Sequence, residues 1–330
     1  MTFTFHNVYM EEVSTVCGPY EKKGPLKDYF DKSYKDFYCG EKTFEKAEVK
    51  MVRDALLMMM KKTGMEEKDF DLVVGTDLLN QITASTYGAF NIGNSFIGVY
   101  GACSGSSLSM IVASCLIEGG FIKNSLCFVS SHNMTSEKQF RYPTEYGAPR
   151  PNTATFTATG CACCLLSCEK SPVRIESATL GRIMDYSQND PNDMGRVMGP
   201  SAVDTFVHHF EETGRTPDYY DLILTGDLGI YGKEIVKDYM KKTFHIDLGD
   251  SYNDCGVMLY DLNHQKEVKA GGSGPACSGL VLYSYVYQLL KTKKIKRVLF
   301  LATGALFSPL FLYQKQNIPS ICHAVSLEAV

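Results

Sequence analysis

The sequence is short of long apolar runs, and nothing in it is expected to direct the chain through a membrane by itself. Its longest strongly apolar run, Val298 to Phe307, is about ten residues, roughly half of what a bilayer-spanning helix needs. The opening stretch MTFTFHNVYMEEV holds two glutamates and no apolar block of signal-peptide length, so no export signal is expected. An excess of positive charge is missing too. Lys+Arg number 33 against Asp+Glu 37, for a formal net charge of −4. That balance excludes binding to nucleic acid driven by overall charge. Charged residues are 21% and hydrophobic residues 45%, too apolar for a disordered chain. The 330 residues suggest about two domains and allow a large core.

The 12 cysteines are spread from Cys17 to Cys322. With no secretory signal, reduced thiols are the expectation. Cys161, Cys163, Cys164 and Cys168 cluster in TATFTATGCACCLLSCEK, which reads as a buried strand pair. Side chains alternate faces along a strand, so Cys161 and Cys164 should point to opposite sides despite their C-x-x-C spacing. No histidine or second C-x-x-C stands nearby. They read as small core residues, and no metal site is expected.

Helical and strand patterns alternate along the chain. Lys42 to Lys62 has apolar residues at helical spacing and ends before Gly64. Ser104 to Glu118 reads as a buried helix, and Ser201 to Glu212 as an amphipathic one. Leu72 to Gly75, Ser125 to Ser131, Leu222 to Thr225 and Val298 to Ala302 read as strands, and Ala276 to Leu290 as a helix.

An internal repeat organises these elements. DLVVGTDLLN (Asp71 to Asn80) matches DLILTGDLGI (Asp221 to Ile230), 150 residues on. ACSG (Ala102 to Gly105) recurs at Ala276 to Gly279, 174 residues on. IKNSLCFVSS (Ile122 to Ser131) matches IKRVLFLATG (Ile295 to Gly304), 173 residues on. The offsets require about 24 extra residues between Asp227 and Ala276. The reading is two similar α/β halves, 1–171 and 172–330, meeting near Ser171-Pro172.

A duplicated α/β half with Gly-Ala-Cys-Ser opening a small-residue helix resembles the thiolase fold, with layered sheets and helices. In the condensing enzymes of that fold such a cysteine carries the acyl group, assisted by two histidines or a histidine and an asparagine. Cys103 has the matching position, where a helix N-terminus is expected to lower its pKa. The assisting groups are absent. Asp227 stands at the position of the first histidine, and Gly271 or Gly272 at that of the second group. An anionic Asp227 opposes a thiolate. The chain keeps the nucleophile's place and loses its helpers, so no catalytic residue and no cofactor are expected.

Closer segments resemble the stage V sporulation protein AD family over essentially the whole chain. They include GPYEKKGPLKDYFDKSY (Gly18 to Tyr34), DLLNQ (Asp77 to Gln81), SSHNMTSEKQFRYPTEYG (Ser130 to Gly147), NDMG (Asn192 to Gly195) and NDCG (Asn253 to Gly256). The resemblance implies a non-catalytic thiolase-like protein of endospores that binds dipicolinic acid (pyridine-2,6-dicarboxylate). It implies a peripheral subunit of the spore inner-membrane complex that moves dipicolinate, as its Ca²⁺ chelate, during sporulation and germination. Other membrane subunits of that complex are the implied partners, and a homodimer is possible for the fold.

A flat dianion needs donors for two carboxylates and an apolar slot. Cys103 and Ser104 at a helix start, with Gly304 in the facing loop, offer backbone N–H groups. His132 and Asn133 follow a strand end, where ligands bind in such sheets; either donates to a carboxylate or fixes a loop. Arg141 grips a carboxylate or pairs with Glu145. Tyr142 and Tyr146 flank a ring or pack a loop. Asp77 and Asp227, a repeat-related pair, cap turns or face a bound Ca²⁺. DYSQNDPNDMG (Asp185 to Gly195) is rich in oxygen ligands but has Arg196 where an EF-hand needs glutamate. KTKKIKR (Lys291 to Arg297) complements a helix C-terminus or meets anionic lipid. Two other readings stay open: acyl transfer through Cys103, and a scaffold with a vestigial pocket.

Overall fold

Alternating small and apolar residues make the central strands. A computed structural model describes residues 1–141 and 149–330. In it Gly160–Ser167 is a strand buried along its whole length. Cys161, Cys163 and Leu165 join one core cluster, while Ala162, Cys164 and Leu166 join another on the opposite face. Alternation along the strand therefore separates the two ends of the C-x-x-C. The preceding Phe156–Thr157 does not pair with this strand, as a strand pair would. It lies parallel to Gly272–Ser273 in a separate two-stranded sheet.

The main sheet runs in the order Tyr252–Asp254, Leu222–Thr225, Arg297–Ala305, Ser320–Ala329, Val173–Thr179, Tyr9–Cys17, Gly160–Ser167, Asn124–Ser131, Leu72–Thr76 and Phe96–Gly98. Read outward from the middle, the two sides repeat one plan. On each side the earliest strand lies innermost, the latest lies beside it antiparallel, and the remaining strands follow in parallel. The two innermost strands touch only at Tyr9 with Arg174 and Met10 with Val173. The repeated segments fall on equivalent strands: Leu72–Thr76 matches Leu222–Thr225, and Asn124–Ser131 matches Arg297–Ala305.

Helices cover and fill the sheet. Phe44–Thr63 starts where Thr43 Oγ1 accepts from Lys46 N–H and stops at Gly64, whose φ of 73° favours glycine. Gly105–Glu118 and Pro275–Val281 begin at the two ACSG repeats, and Ser106 Oγ lies 2.8 Å from Ser278 Oγ between them. From Pro275 to Lys291 the chain is helical but not one regular helix, because the turn widens at Leu282–Val286.

One helix starts earlier than its pattern suggests. It runs Met194–Thr213 instead of starting at Ser201, and Pro200 lies inside it. Asp193 caps it by accepting from Arg196 N–H at 3.2 Å. Its first turns press against Gly229–Phe244, where Gly195 meets Gly232. A Cβ on Gly195 would lie 2.8 Å from Gly232 N. This close approach brings Met194 and Met198 to the cavity described next.

Candidate ligand-binding cavity

The turn before Gly105–Glu118 fixes Cys103. Ala102–Ser104 forms one tight turn, and Ala102 has φ of 49°, a strained value for a residue with a side chain. Ser104 Oγ–H donates to Gly101 O at 2.6 Å, so Ser104 closes the turn and stays buried. The strand end at Gly304 passes directly over it, and a Cβ there would lie 2.3 Å from Gly101 O. Gly304 is thus needed for backbone approach, one residue before the cavity-lining Ala305.

Cys103 and Asp227 face each other at the inner wall of a narrow cavity. Only about 70 Å³ of it admits the centre of a water molecule. Both sides of the sheet contribute: Tyr100, Cys103 and Arg141 from one, Met198, Asp227 and Phe307 from the other. Asp227 Oδ1 accepts from Thr303 Oγ1–H at 2.8 Å, and Oδ2 accepts from Gly274 N–H at 3.0 Å. Phe140 and Phe307 stack obliquely at 5.6 Å. Beyond Tyr100, Phe140 and Phe307 lies a wider groove of about 760 Å³.

Electrostatics here reverse the expectation drawn from the helix N-terminus. Burial, and then the Asp227 carboxylate, push the Cys103 thiol well above its usual value. Burial likewise raises Asp227 to about 7, against the opposing pull of its hydrogen bonds from Cys103 and Thr303. The thiol is therefore held protonated. Gly271 and Gly272 do not line the cavity: a Cβ on Gly271 would meet Gly256 O at 2.9 Å, and one on Gly272 would meet Tyr260 and Cys277. Ser273 and Gly274 are the lining residues there.

Of the residues singled out in the sequence, the cavity brings together Cys103, Asp227 and Arg141, with Ser104 and Gly304 behind them. Three others take the capping or loop-fixing role that the sequence left open. Asp77 is buried and accepts from Leu79 N–H and Ser85 N–H, both at 2.7 Å, so it caps the following turn. His132 caps the helix Asn133–Phe140: Nδ1 accepts from Met134 N–H at 3.2 Å, and Nε2–H donates to Phe37 O at 2.8 Å. Packed between Phe37 and Phe44, it is lowered by burial to about 4 and stays neutral. Asn133 N–H donates to Thr159 Oγ1 and its amide to Thr157 O, which ties the loop down.

Among the described residues Arg141 has one carboxylate close by, that of Glu137. Its Nη1 lies 3.5 Å from Glu137 Oε1, in the last turn of the helix that Arg141 follows. Tyr142, Glu145 and Tyr146 lie outside the described residues. Glu137, Phe140, Phe307 and Met194 are lining residues that the sequence reading missed. Only Glu137 carried a usable signal, its four-residue spacing from Arg141.

The remaining candidates have structural partners. Asp185 accepts from Asn317, and Asp193 caps a helix. Among the described residues no cluster of three or more His, Cys, Asp or Glu is arranged to hold a metal ion. In the basic cluster Lys291 lies 3.4 Å from Glu12 and Arg297 lies 3.7 Å from Glu328, while Lys293, Lys294 and Lys296 are exposed.

A family model for stage V sporulation protein AD matches residues 1–328. The chain belongs to the stage V sporulation protein AD family. It is 44% identical over 323 residues to stage V sporulation protein AD of Bacillus subtilis (strain 168), covering 98% of this chain and 95% of that protein. Solved structures with a similar fold include Xanthomonas campestris OleA bound to cerulenin, at a TM-score of 0.62 and 14% identity, covering 99% of this chain and 98% of that one. Another is 3-oxoacyl-(acyl carrier protein) synthase III of Xanthomonas oryzae pv. oryzae, at 0.60 and 15%, covering 99% of this chain and 100% of that one. At such identity these neighbours show the fold, which is thiolase-like. No helix among the described residues is long and apolar enough to cross a membrane.

Proposed function

We infer that this member of the stage V sporulation protein AD family binds dipicolinate and does not transform it. The observation that carries the reading is the pairing of Cys103 with Asp227. A condensing nucleophile needs a thiolate and a neighbouring base. Here burial and a carboxylate keep the thiol protonated. A second observation supports the ligand class. The narrow cavity has the Arg141 guanidinium on one wall and the Phe140–Phe307 pair on another, which suits a flat aromatic carboxylate.

In this reading the protein is a peripheral subunit on the forespore or spore inner membrane. It captures the dianion, alone or with Ca²⁺, and passes it to membrane-spanning partners. The exposed lysines at Lys293, Lys294 and Lys296 suit weak contact with anionic lipid. The edge strand Phe96–Gly98, with Phe96 and Ile97 more than a third exposed, suits pairing with a second copy.

Calorimetric titration of the purified protein tests the binding. Dipicolinate is titrated with and without Ca²⁺, and benzoate and acetyl-CoA serve as controls. Saturable binding of dipicolinate over benzoate is expected. Acetyl-CoA binding that leaves an acyl mass on Cys103, with dipicolinate ignored, would replace this reading with acyl transfer. No response to any of them would leave a scaffold.

A further inference from the structure

Glu137 is an acid in the wall of an anion site. It is 8% exposed and lines the same cavity as Arg141. Its two carboxylate oxygens are divided between two arginines. Oε2 holds Arg150 Nη2 at 2.5 Å, while Oε1 is 3.5 Å from Arg141 Nη1. The first is a close ion pair, and the second is a distinctly longer one. Arg141 Nη1 is buried and has no hydrogen-bond partner among the described residues. Glu137 is thus anchored from one side and engages the cavity arginine only loosely.

We propose that Glu137 is an internal anion that sets carboxylate affinity here: Arg150 holds it back, and Arg141 exchanges it for a ligand carboxylate. The proposal rests on the preceding reading that the ligand is a carboxylate. The asymmetry decides which arginine gives up Glu137 more easily. Breaking a 3.5 Å ion pair costs little, and the incoming carboxylate replaces it with a bidentate one. Arg150, gripped at 2.5 Å, stays where it is. The Glu137 carboxylate stays beside the entering anion and lowers the affinity of any carboxylate ligand. Arg150 is a positioning residue in this scheme. Without it, Glu137 turns fully onto Arg141 and closes the site.

The scheme gives opposite signs for two neighbouring variants, which a merely structural role would not. Calorimetry with dipicolinate and with benzoate is run on the full chain, alongside melting curves. Glu137→Gln keeps the shape and removes the charge, and it should bind both probes roughly five- to tenfold tighter. Arg150→Gln should weaken both by a similar factor. The double variant should return to the Glu137→Gln level, because no acid remains to capture Arg141. If Glu137→Gln proves unstable, Arg150→Gln carries the test, since its side chain is 30% exposed and tolerates change. A folded Glu137→Gln protein that binds neither probe more tightly would overturn the proposal. So would an Arg150→Gln protein with unchanged affinity. If Glu137→Gln gains benzoate affinity but dipicolinate is never preferred, the proposal stands and the dipicolinate reading falls.

Discussion

The Asp227 carboxylate lies against the Cys103 thiol, with Thr303 Oγ1 at 2.8 Å and Gly274 N at 3.0 Å on its two oxygens. Its repeat counterpart Asp77 holds only its own following turn. One position of the duplicated half has thus become a cavity wall and the other a cap.

Replacing Asp227 should wake the thiol. In Asp227→Asn the negative charge beside Cys103 is gone, and its pKa falls towards the usual range. Alkylation of Cys103 by iodoacetamide at pH 8, followed by peptide mass spectrometry, should speed up on the order of tenfold for each unit recovered. An unchanged rate would mean that burial alone silences the thiol.

Asp227 also sets a pH dependence. Its carboxyl is raised to about 7 from 3.8. Between those values the native state keeps a proton that the unfolded chain has lost. Stability from this group therefore falls as pH rises from about 4 to about 7. Dianion binding should weaken over the upper part of that range, as the wall becomes charged. Titrations at pH 6 and pH 8 should show the loss in the wild type, and Asp227→Asn should flatten it.

Asp77 should matter to stability and not to ligand. Asp77→Ala removes the acceptor for two buried N–H groups, and the expected cost is about 1–3 kcal/mol of unfolding free energy. Dipicolinate affinity should stay within about twofold, a change below roughly 0.5 kcal/mol. A selective loss of affinity without a loss of stability would return Asp77 to the site.

Phe307 stands between the cavity and the outer groove. Phe307→Ala should widen that passage and remove one face of the ring slot. Stopped-flow mixing should show dissociation faster by roughly tenfold, with association no slower. Slower association would mean that Phe307 guides entry instead of guarding it.

Much of this architecture is legible in the sequence, because local matches recur in order. The ACSG repeats mark the two buried helices, and the two D-L segments mark equivalent strands. Cys103 and Asp227 are legible for the same reason: each lies within a repeated segment. His132 and Asn133 share that strand-end signal, yet local backbone groups absorb their donors and acceptors. A sequence gives position along a strand, and it does not say which partner arrives first. Pro200 hid the first turns of Met194–Thr213, because proline usually marks a helix start. Phe307 and Met198 reach the cavity through long-range packing, which no local pattern encodes.

The most direct test is a crystal structure of the protein grown with dipicolinate. One ligand carboxylate should lie on the Arg141 guanidinium, with the ring beside Phe140 and Phe307 and the Cys103 sulfur unmodified. Dipicolinate bound away from Arg141, or an acyl group on Cys103, would contradict the non-catalytic binding cavity described above.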